Sequence, residues 1–364
     1  MSNVTLAPLG RMLQHPPALA IRIGRMLLGT PGNAILTILF LTAIGSFLPG
    51  LFRWAVLEAV IWPLEPAACR NIEGACWSFL IAKSGQLLFG IYPPDERWRP
   101  TLVCVLILGL LAASVRPQFW RPALALVWIG LISAVLTLMA GGVLGLREVP
   151  TASWGGLPIT LMLTVLAIGV AFPLSILLAL GRRSDHVAIS ALSTLFIETI
   201  RGLPLLSLLL VASIMLPIFL PDWMVPDKFV RALVALTLFA AAYLAEIIRG
   251  GLQALPKGQE EAAKSMGLGY WRTQQLVILP QAIRMVIPAL ANTIIVMVKN
   301  TSLVLVVGLF DLISSGKAAL SDPNWPSPAA ETYLFIGAIY FALAFGFARF
   351  ADFLERRGQI AGGR

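Results

Sequence analysis

Residues 260–280 read EEAAKSMGLGYWRTQQLVILP, a polar stretch within an otherwise apolar chain. Residues 259–266 can form two helical turns, and the two glutamates in the first turn complement the helix dipole. Ala262 and Ala263 give this helix a face of short side chains that another protein can approach closely, and Gly267 can adopt the left-handed conformation that ends it. The residues alone also allow a plain solvated loop between two helices, and this alternative stays open.

The composition indicates a chain that uses lipid as its solvent. Hydrophobic residues make up 58% of the 364 residues and charged residues only 12%, whereas soluble domains carry about 25% charged residues. The formal net charge is +9. Membrane proteins collect Lys and Arg in their cytoplasmic loops, so topology accounts for these residues and no nucleic acid is expected as a partner. We expect an all-α polytopic membrane protein in a lipid bilayer.

The sequence contains eight candidate membrane spans, since a membrane helix needs about 20 apolar residues. They are residues 34–53, 101–115, 122–146, 157–181, 190–220, 229–248, 282–315 and 332–351. The fifth and the seventh are too long for one straight helix, so we expect a lead-in helix or a break in each.

The distribution of Lys and Arg predicts the orientation and the domains. With both termini in the cytoplasm, the inside segments hold most of the basic residues, and the short outside connections are acidic or neutral. The domains are then a basic cytoplasmic N-terminus at 1–33, a three-span extension at 34–154 with an outside loop at 54–100, a five-span core at 155–353 with a cytoplasmic loop at 249–281, and a cytoplasmic tail at 354–364.

The polar stretch resembles the cytoplasmic loop shared by the permeases of ABC importers. That pattern is Glu-Ala-Ala, three residues, Gly, nine residues, Ile, one residue and Leu-Pro, and the positions that match it here are Glu261, Ala262, Ala263, Gly267, Leu279 and Pro280. Val277 replaces the usual Ile. In that family the loop forms a coupling helix that docks on the ATPase subunit, and the last five spans form a type I permease core.

Three further stretches resemble the polar amino-acid permeases of this family. They are ETIRGLPLL at 198–206, AEIIRGG at 245–251 and KNTSL at 299–303. The three extra N-terminal spans and the loop with Trp and Cys resemble the larger permease of the bacterial general L-amino-acid transporters. Asn300 stands where the family often has Asp, which removes a negative charge beside Lys299.

The resemblance implies a transporter in the bacterial inner membrane. Its other parts are a second permease chain, as a paralogous heterodimer partner, two ATPase subunits and a periplasmic amino-acid-binding protein. ATP and Mg would belong to the ATPase, because the sequence has no Gly-x4-Gly-Lys-Ser/Thr phosphate loop. We expect a transporter subunit with no cofactor of its own, and not an enzyme.

Charged residues within the spans mark a candidate substrate pathway. A charge at the centre of a membrane helix costs about 2.5–3.5 kcal/mol on insertion scales, so it is usually paired or functional. Glu198 and Arg201 can pair with each other because they are three residues apart, or they can bind the ammonium and carboxylate of an amino acid. The helix can open after Gly202, and irregular backbone at this depth usually lines a cavity. The seventh run has a similar interruption, and the candidate pathway residues are Glu198, Arg201, Lys299, Thr301 and Ser302.

Two further pairs have roles that the residues leave open. Glu246 and Arg249 repeat the spacing of three, and here we favour a structural ion pair. Cys69 and Cys76 lie in the outside loop, where disulfides persist, and both a disulfide and two free thiols fit the sequence. No Cys/His cluster has the spacing of a metal site.

Two other functions compete with the importer. A secondary transporter driven by an ion gradient also uses broken helices and buried charges, but it has no need of a docking loop, and the two halves show no obvious sequence symmetry. A non-transporting membrane scaffold or assembly factor would have no reason to carry charges within its spans.

Overall fold

The computed structural model describes residue 24 and residues 26–362. Most of the expected basic segment at 1–33 and the end of the tail at 354–364 lie outside the described residues. The chain divides into two compact units, one ending at Ser78 and the other beginning at Phe79. The domain division expected near residue 154 stays a prediction.

The first unit contains helix α1, Pro31–Phe52. The Thr30 side chain accepts the backbone N–H of Asn33 at 3.2 Å, and Pro31 takes the first helical position, where its missing N–H has no cost. A π-helical turn follows directly, so the apolar helical stretch Pro31–Leu57 has 27 residues. None of the α1 residues is buried by the protein, as befits a helix whose side chains face lipid.

The part of this unit that follows the long helix contains a disulfide bridge. It joins Cys69 to Cys76, whose Cα atoms lie 5.7 Å apart, so the structure contains the bridge rather than two free thiols. The Trp77 indole N–H donates to the Ala55 carbonyl at 2.8 Å and ties the loop back to the end of the long helix.

The second unit is almost entirely helical. In chain order the remaining helices are α2 Trp77–Ala82, α3 Ser84–Phe89, α4 Trp98–Ser114, α5 Ala123–Ala140, α6 Gly156–Arg182, α7 Val187–Gly202, α8 Leu205–Leu210, α9 Leu216–Phe219, α10 Lys228–Ala254, α11 Gly258–Ser265, α12 Tyr270–Thr273, α13 Leu279–Asn300, α14 Leu312–Leu320 and α15 Ala329–Gly362. A two-residue strand, β1 Phe310–Asp311, bridges to Gly155 and Gly156.

Helices α6 and α10 form the centre of the second unit. They make its most extensive helix–helix contact, and α13 also packs against α10. The contact face of α10 is rich in alanine, with Ala240, Ala241 and Ala245 wholly buried. Small side chains let helix backbones approach closely, which favours association in lipid, where apolar burial gives little driving force. We name the two ends of this bundle after the termini of α6, the Gly156 end and the Arg182 end.

The membrane-spanning helices confirm the expected fold class. Seven helical stretches among the described residues are long and apolar enough to cross a membrane, and α7 with α8–α9, bent by 102°, would be the eighth. This bend is the break expected in the fifth run. It falls at Leu203 and Pro204, because the Pro ring disfavours a helical conformation in the residue before it.

The seventh run is also broken, but its predicted end at residue 315 is wrong. Helix α13 ends at Asn300 and is followed by a 3-10 turn, Thr301–Val307. Gly308 then takes a left-handed φ of +79°, and Asp311 caps a new helix, α14, by accepting two backbone N–H groups. The apolar run therefore contains two helices separated by a sharp turn.

Candidate functional site

The polar stretch forms α11 and α12 at the Arg182 end of the bundle. The Glu260 carboxylate pairs with the Lys264 ammonium one turn later, at 3.1 Å. The Gly267 N–H donates to the Lys264 carbonyl at 2.9 Å and the Leu268 N–H to the Ala263 carbonyl at 3.2 Å. These two bonds form a Schellman motif, and Gly267 has the left-handed φ of +78° that this motif requires.

The two alanines of α11 face in different directions. Glu261 and Ala262 are exposed, whereas Ala263 is only 4% exposed and packs against the protein itself. The expected face of two alanines is therefore wrong, because consecutive helical residues point about 100° apart. The exposed residues include Glu261 and Ala262 of α11 and Met266 directly after it, the last with 83% of its area exposed.

The loop is joined to α13 without a break. From Tyr270 the chain stays helical through the π-helical turn Gln274–Ile278 into α13, which begins with Leu279 and Pro280. The wider turn lies where Pro280 cannot donate to the carbonyl four residues earlier. α12 and α13 are therefore parts of one helical path from Tyr270 to Asn300, which residues 266–269 separate from α11.

A cavity of about 590 Å³ lies beside this loop. Its walls include the end of α6, the turn that follows it, the start of α7, α11 and α12. The ionisable side chains that line it are Arg183, Asp185, His186, Glu260, Lys264 and Tyr270. The Arg182 end is thus polar and open.

An arginine links three helices above this loop. Arg182, the last residue of α6, contacts Glu198 of α7 at 2.7 Å and Glu246 of α10 at 3.1 Å. Arg249 donates through Nε to Glu246 at 2.9 Å, so the ion pair expected between these two residues is confirmed. Glu198 pairs with Arg182 and not with Arg201, the local partner that was one of the two possibilities left open by the sequence.

Arg201 has a different environment from the other cations of this cluster. Its guanidinium carbon lies 5.6 Å from the centre of the Tyr243 ring, near the middle of α10. A cation over an aromatic face is attracted by the ring quadrupole. Its Nε is buried and has no hydrogen-bond partner.

The other candidate pathway residues lie at the second break. Lys299 is exposed near the end of α13, Ser302 is half-buried, and Thr301 is buried and donates to the Val298 carbonyl at 2.7 Å. The turn that these residues begin packs against α8, the helix that follows the first break. Among the described residues, the structure shows no hydrogen bond or ion pair between this group and Glu198 or Arg201.

A buried polar group that the sequence reading missed lies close to the second break. Asp311 is fully buried and accepts the N–H groups of Ile313 at 3.1 Å and Ser314 at 3.0 Å. The Ser314 hydroxyl also donates to it, and the Tyr340 hydroxyl donates to it from 3.2 Å. The available signal was an Asp directly before the apolar residues Leu312 and Ile313, which is a helix-start pattern.

Comparisons with known proteins identify the family to which this architecture belongs. A family model described as "Binding-protein-dependent transport system inner membrane component" matches residues 171–359. The "Inner membrane amino-acid ABC transporter permease protein YhdY" of Escherichia coli K12 is 43% identical over 360 residues, which cover 95% of this chain and 97% of that protein.

A second relative covers nearly the whole chain, and a solved structure covers about half of it. The "Glutamate/glutamine/aspartate/asparagine transport system permease protein BztC" of Rhodobacter capsulatus is 35% identical over 421 aligned residues, with 95% of this chain and 96% of that protein covered. A crystal structure of an amino acid ABC transporter with histidines is 37% identical, with a TM-score of 0.48, and covers 55% of this chain and 90% of that chain. The chain belongs to the family of binding-protein-dependent inner membrane components, among the permease subunits of amino-acid ABC transporters.

Proposed function

We propose that this chain lines the translocation pathway of an ATP-driven amino-acid importer and that α11 is its docking helix for the ATPase. The observation that carries this proposal is the exposed surface of Glu261, Ala262 and Met266 on a helix that Gly267 caps. Only residues 266–269 separate α11 from the unbroken helical path that runs from Tyr270 into α13, which supports a coupling role for the loop. The competing functions, a gradient-driven transporter and a scaffold, do not fit a permease of this family.

Membership of this family implies an ATPase and a binding protein as partners. We further propose two ATPase subunits and a paralogous second permease chain, with both termini of this chain in the cytoplasm. The basic residues of the Arg182 end, among them Arg183, Lys257, Lys264 and Arg272, support a cytoplasmic location for that end.

The proposed cargo is a polar amino acid, as the name of the Rhodobacter relative says of that protein. Arg201 is the better placed of the two candidate charges for the cargo carboxylate, because its Nε is free and Tyr243 holds the guanidinium in position. Glu198 is already bound to Arg182, so an ammonium group would have to displace that arginine. Thr301, Ser302 and Lys299 supply further polar groups at the second break.

The docking proposal is tested by Glu261→Lys in the assembled transporter. The reversed charge on the exposed face of α11 should reduce ATPase co-purification or uptake at least tenfold while the chain still inserts. Gln275→Lys is the matched control, because it adds positive charge to an exposed position of the same loop outside α11. Normal uptake and normal ATPase binding with Glu261→Lys would remove the docking assignment.

The cargo proposal is tested by Arg201→Gln, with Arg201→Lys as the conservative variant. If Arg201 binds the carboxylate, the KM for uptake should rise about tenfold in Arg201→Gln and less in Arg201→Lys, with assembly and basal ATP hydrolysis retained. An unchanged KM and substrate profile would leave Arg201 with a structural role only.

A further inference from the structure

Residues 79–90, which precede α4, hold α14 at the Gly156 end of the second unit. We name them the outer clamp. The Lys83 ammonium contacts the Asp322 carboxylate at 2.5 Å, and this ion pair is about four-fifths buried on both sides. The Phe79 ring packs edge-on against Trp325, with centroids 5.3 Å apart. The clamp therefore grips the chain just beyond the end of α14 by one ion pair and one ring contact.

The outer clamp also fits closely between α14 and the start of α6. At Gly90, which has a φ of +61°, an added Cβ would lie 2.9 Å from the Ser315 hydroxyl oxygen of α14 and 3.0 Å from the Gly155 Cα. At Gly156 an added Cβ would lie 2.0 Å from the Leu88 carbonyl oxygen. The glycine backbones at these two positions therefore lie directly against their neighbours, with no space for a side chain.

Helix α14 is rigidly tied to the second break of the pathway. Its cap residue, Asp311, is bound to α15 through the Tyr340 hydroxyl. Its first backbone N–H, that of Leu312, lies 3.4 Å from the Thr160 hydroxyl of α6. Only Gly308 to Phe310 separate Asp311 from the Thr301–Val307 turn, so the position of α14 determines where that turn can lie.

We propose that the outer clamp is a positioning element for transport, which fixes α14 and the Thr301–Val307 turn as an immobile wall at the Gly156 end. Motion that begins at α11 then moves α13 against this wall, and the pathway opens and closes between a moving part and a fixed part. This proposal assigns a function to residues 79–90, which precede the five-span core. This inference rests on the proposed importer function.

The test removes the ion pair in the complete transporter, reconstituted in vesicles with its ATPase and binding protein. Lys83→Met should lower the number of amino acids imported per ATP hydrolysed at least threefold and should raise ATP hydrolysis in the absence of the binding protein. The reversed pair, Lys83→Asp with Asp322→Lys, should restore the import ratio to within about twofold of the unmodified transporter. Lys317→Met is the matched control, because Lys317 is an exposed lysine on α14 itself.

The outcomes separate positioning from simple stability. An import ratio for Lys83→Met equal to that of Lys317→Met would overturn the proposal. So would a lower amount of folded protein in both Lys83 variants with an unchanged ratio in the protein that remains, since the pair would then only stabilise the fold. If the unmodified transporter showed no ATP-driven uptake, the proposed function would fail first, and this inference with it.

Discussion

The exposed charges of α11 at the Arg182 end of the bundle and Arg99 at the Gly156 end differ in how far protein encloses them. Glu261 and Lys264 are exposed, and Lys264 lines an open cavity. Arg99, at the other end, is fully buried, and its guanidinium donates to the carbonyls of Leu138 at 2.5 Å and Arg147 at 2.8 Å. Enclosed charges are costly to move because each lost partner leaves a desolvated group. We call the surroundings of α11 the open end and the surroundings of Arg99 the enclosed end.

Two glycines show the same contrast. Gly267 and Gly156 both have a left-handed backbone, with φ of +78° and +72°. Around Gly267 an added Cβ would meet nothing within 4 Å, whereas at Gly156 it would meet backbone atoms of residue Leu88 at 2.0 Å. Gly267 is thus needed only for its left-handed backbone conformation. Gly156 is needed both for that conformation and for the close approach of the Leu88 backbone.

The largest effect is expected for Gly156→Ala. A left-handed alanine costs about 1–2 kcal/mol, and the clash with the Leu88 carbonyl can be relieved only by moving α3 away from α6. We expect little folded protein in the membrane, measured by the amount of monodisperse protein after extraction. Gly267→Ala carries only the conformational strain and should keep most of its folded protein. Gly250→Ala, at a right-handed helical position with nothing within 4 Å, serves as the unstrained control.

Gly156→Ala and Gly267→Ala together test whether the two glycines differ in this way. If Gly267→Ala lost as much folded protein as Gly156→Ala, conformation alone would explain both glycines. The close approach of α3 to α6 would then not contribute to the stability of the enclosed end.

The open end was predictable from sequence because its determinants are local. The glutamates in the first turn, the glycine that ends α11 and the proline that opens α13 all act within a few residues of where they stand. The breaks in the fifth and seventh runs were predictable for the same reason. What the pattern could not show was that Ala263 faces inwards, since that depends on what α11 packs against.

The enclosed end was not predictable, because its contacts join distant parts of the chain. Arg99 looks like a solvated basic residue of the outside loop, yet its acceptors lie 39 to 48 residues further along the chain. Lys83 and Asp322 are separated by 239 positions. Glu198 could be assigned Arg201 by spacing, but Arg182 is closer in space. Such pairings need the packed helices first.

A smaller effect is expected for the loss of the disulfide, which tests whether the enclosed end depends on a covalent link. Cys69→Ser with Cys76→Ser removes a short cross-link that lies wholly within the first unit. A loop of this size contributes about 2–3 kcal/mol in the chain-entropy account. We expect faster proteolysis of residues 54–78, and unchanged uptake, because the contacts around Arg99 and Asp311 belong to the second unit.

Thiol labelling provides the control for this variant. A membrane-impermeant reagent should label Cys69 and Cys76 only after reduction, while Cys104, which is buried in α4, stays unlabelled in the folded protein. Labelling of Cys69 and Cys76 before reduction would show that the bridge is absent and would contradict this prediction.

The smallest effect is expected for the protonation of Asp322, a partly exposed charge at the otherwise enclosed Gly156 end. The hydrogen bond from Lys83, aided by the backbone N–H of Asn324, lowers the pKa of the Asp322 carboxyl below its ordinary value. A carboxyl with a lowered pKa in the folded state stabilises the fold above its unfolded-state pKa, which is about 4. That contribution is lost as the pH falls through the folded-state pKa.

The Tm of the unmodified chain should therefore exceed that of Asp322→Asn by a constant amount from pH 7 to about pH 4, and the difference should shrink in more acidic solution. A Tm difference that already changed between pH 7 and pH 5 would point to another titrating group, and the Lys83–Asp322 pair would then not be the charge that ties the outer clamp to α14.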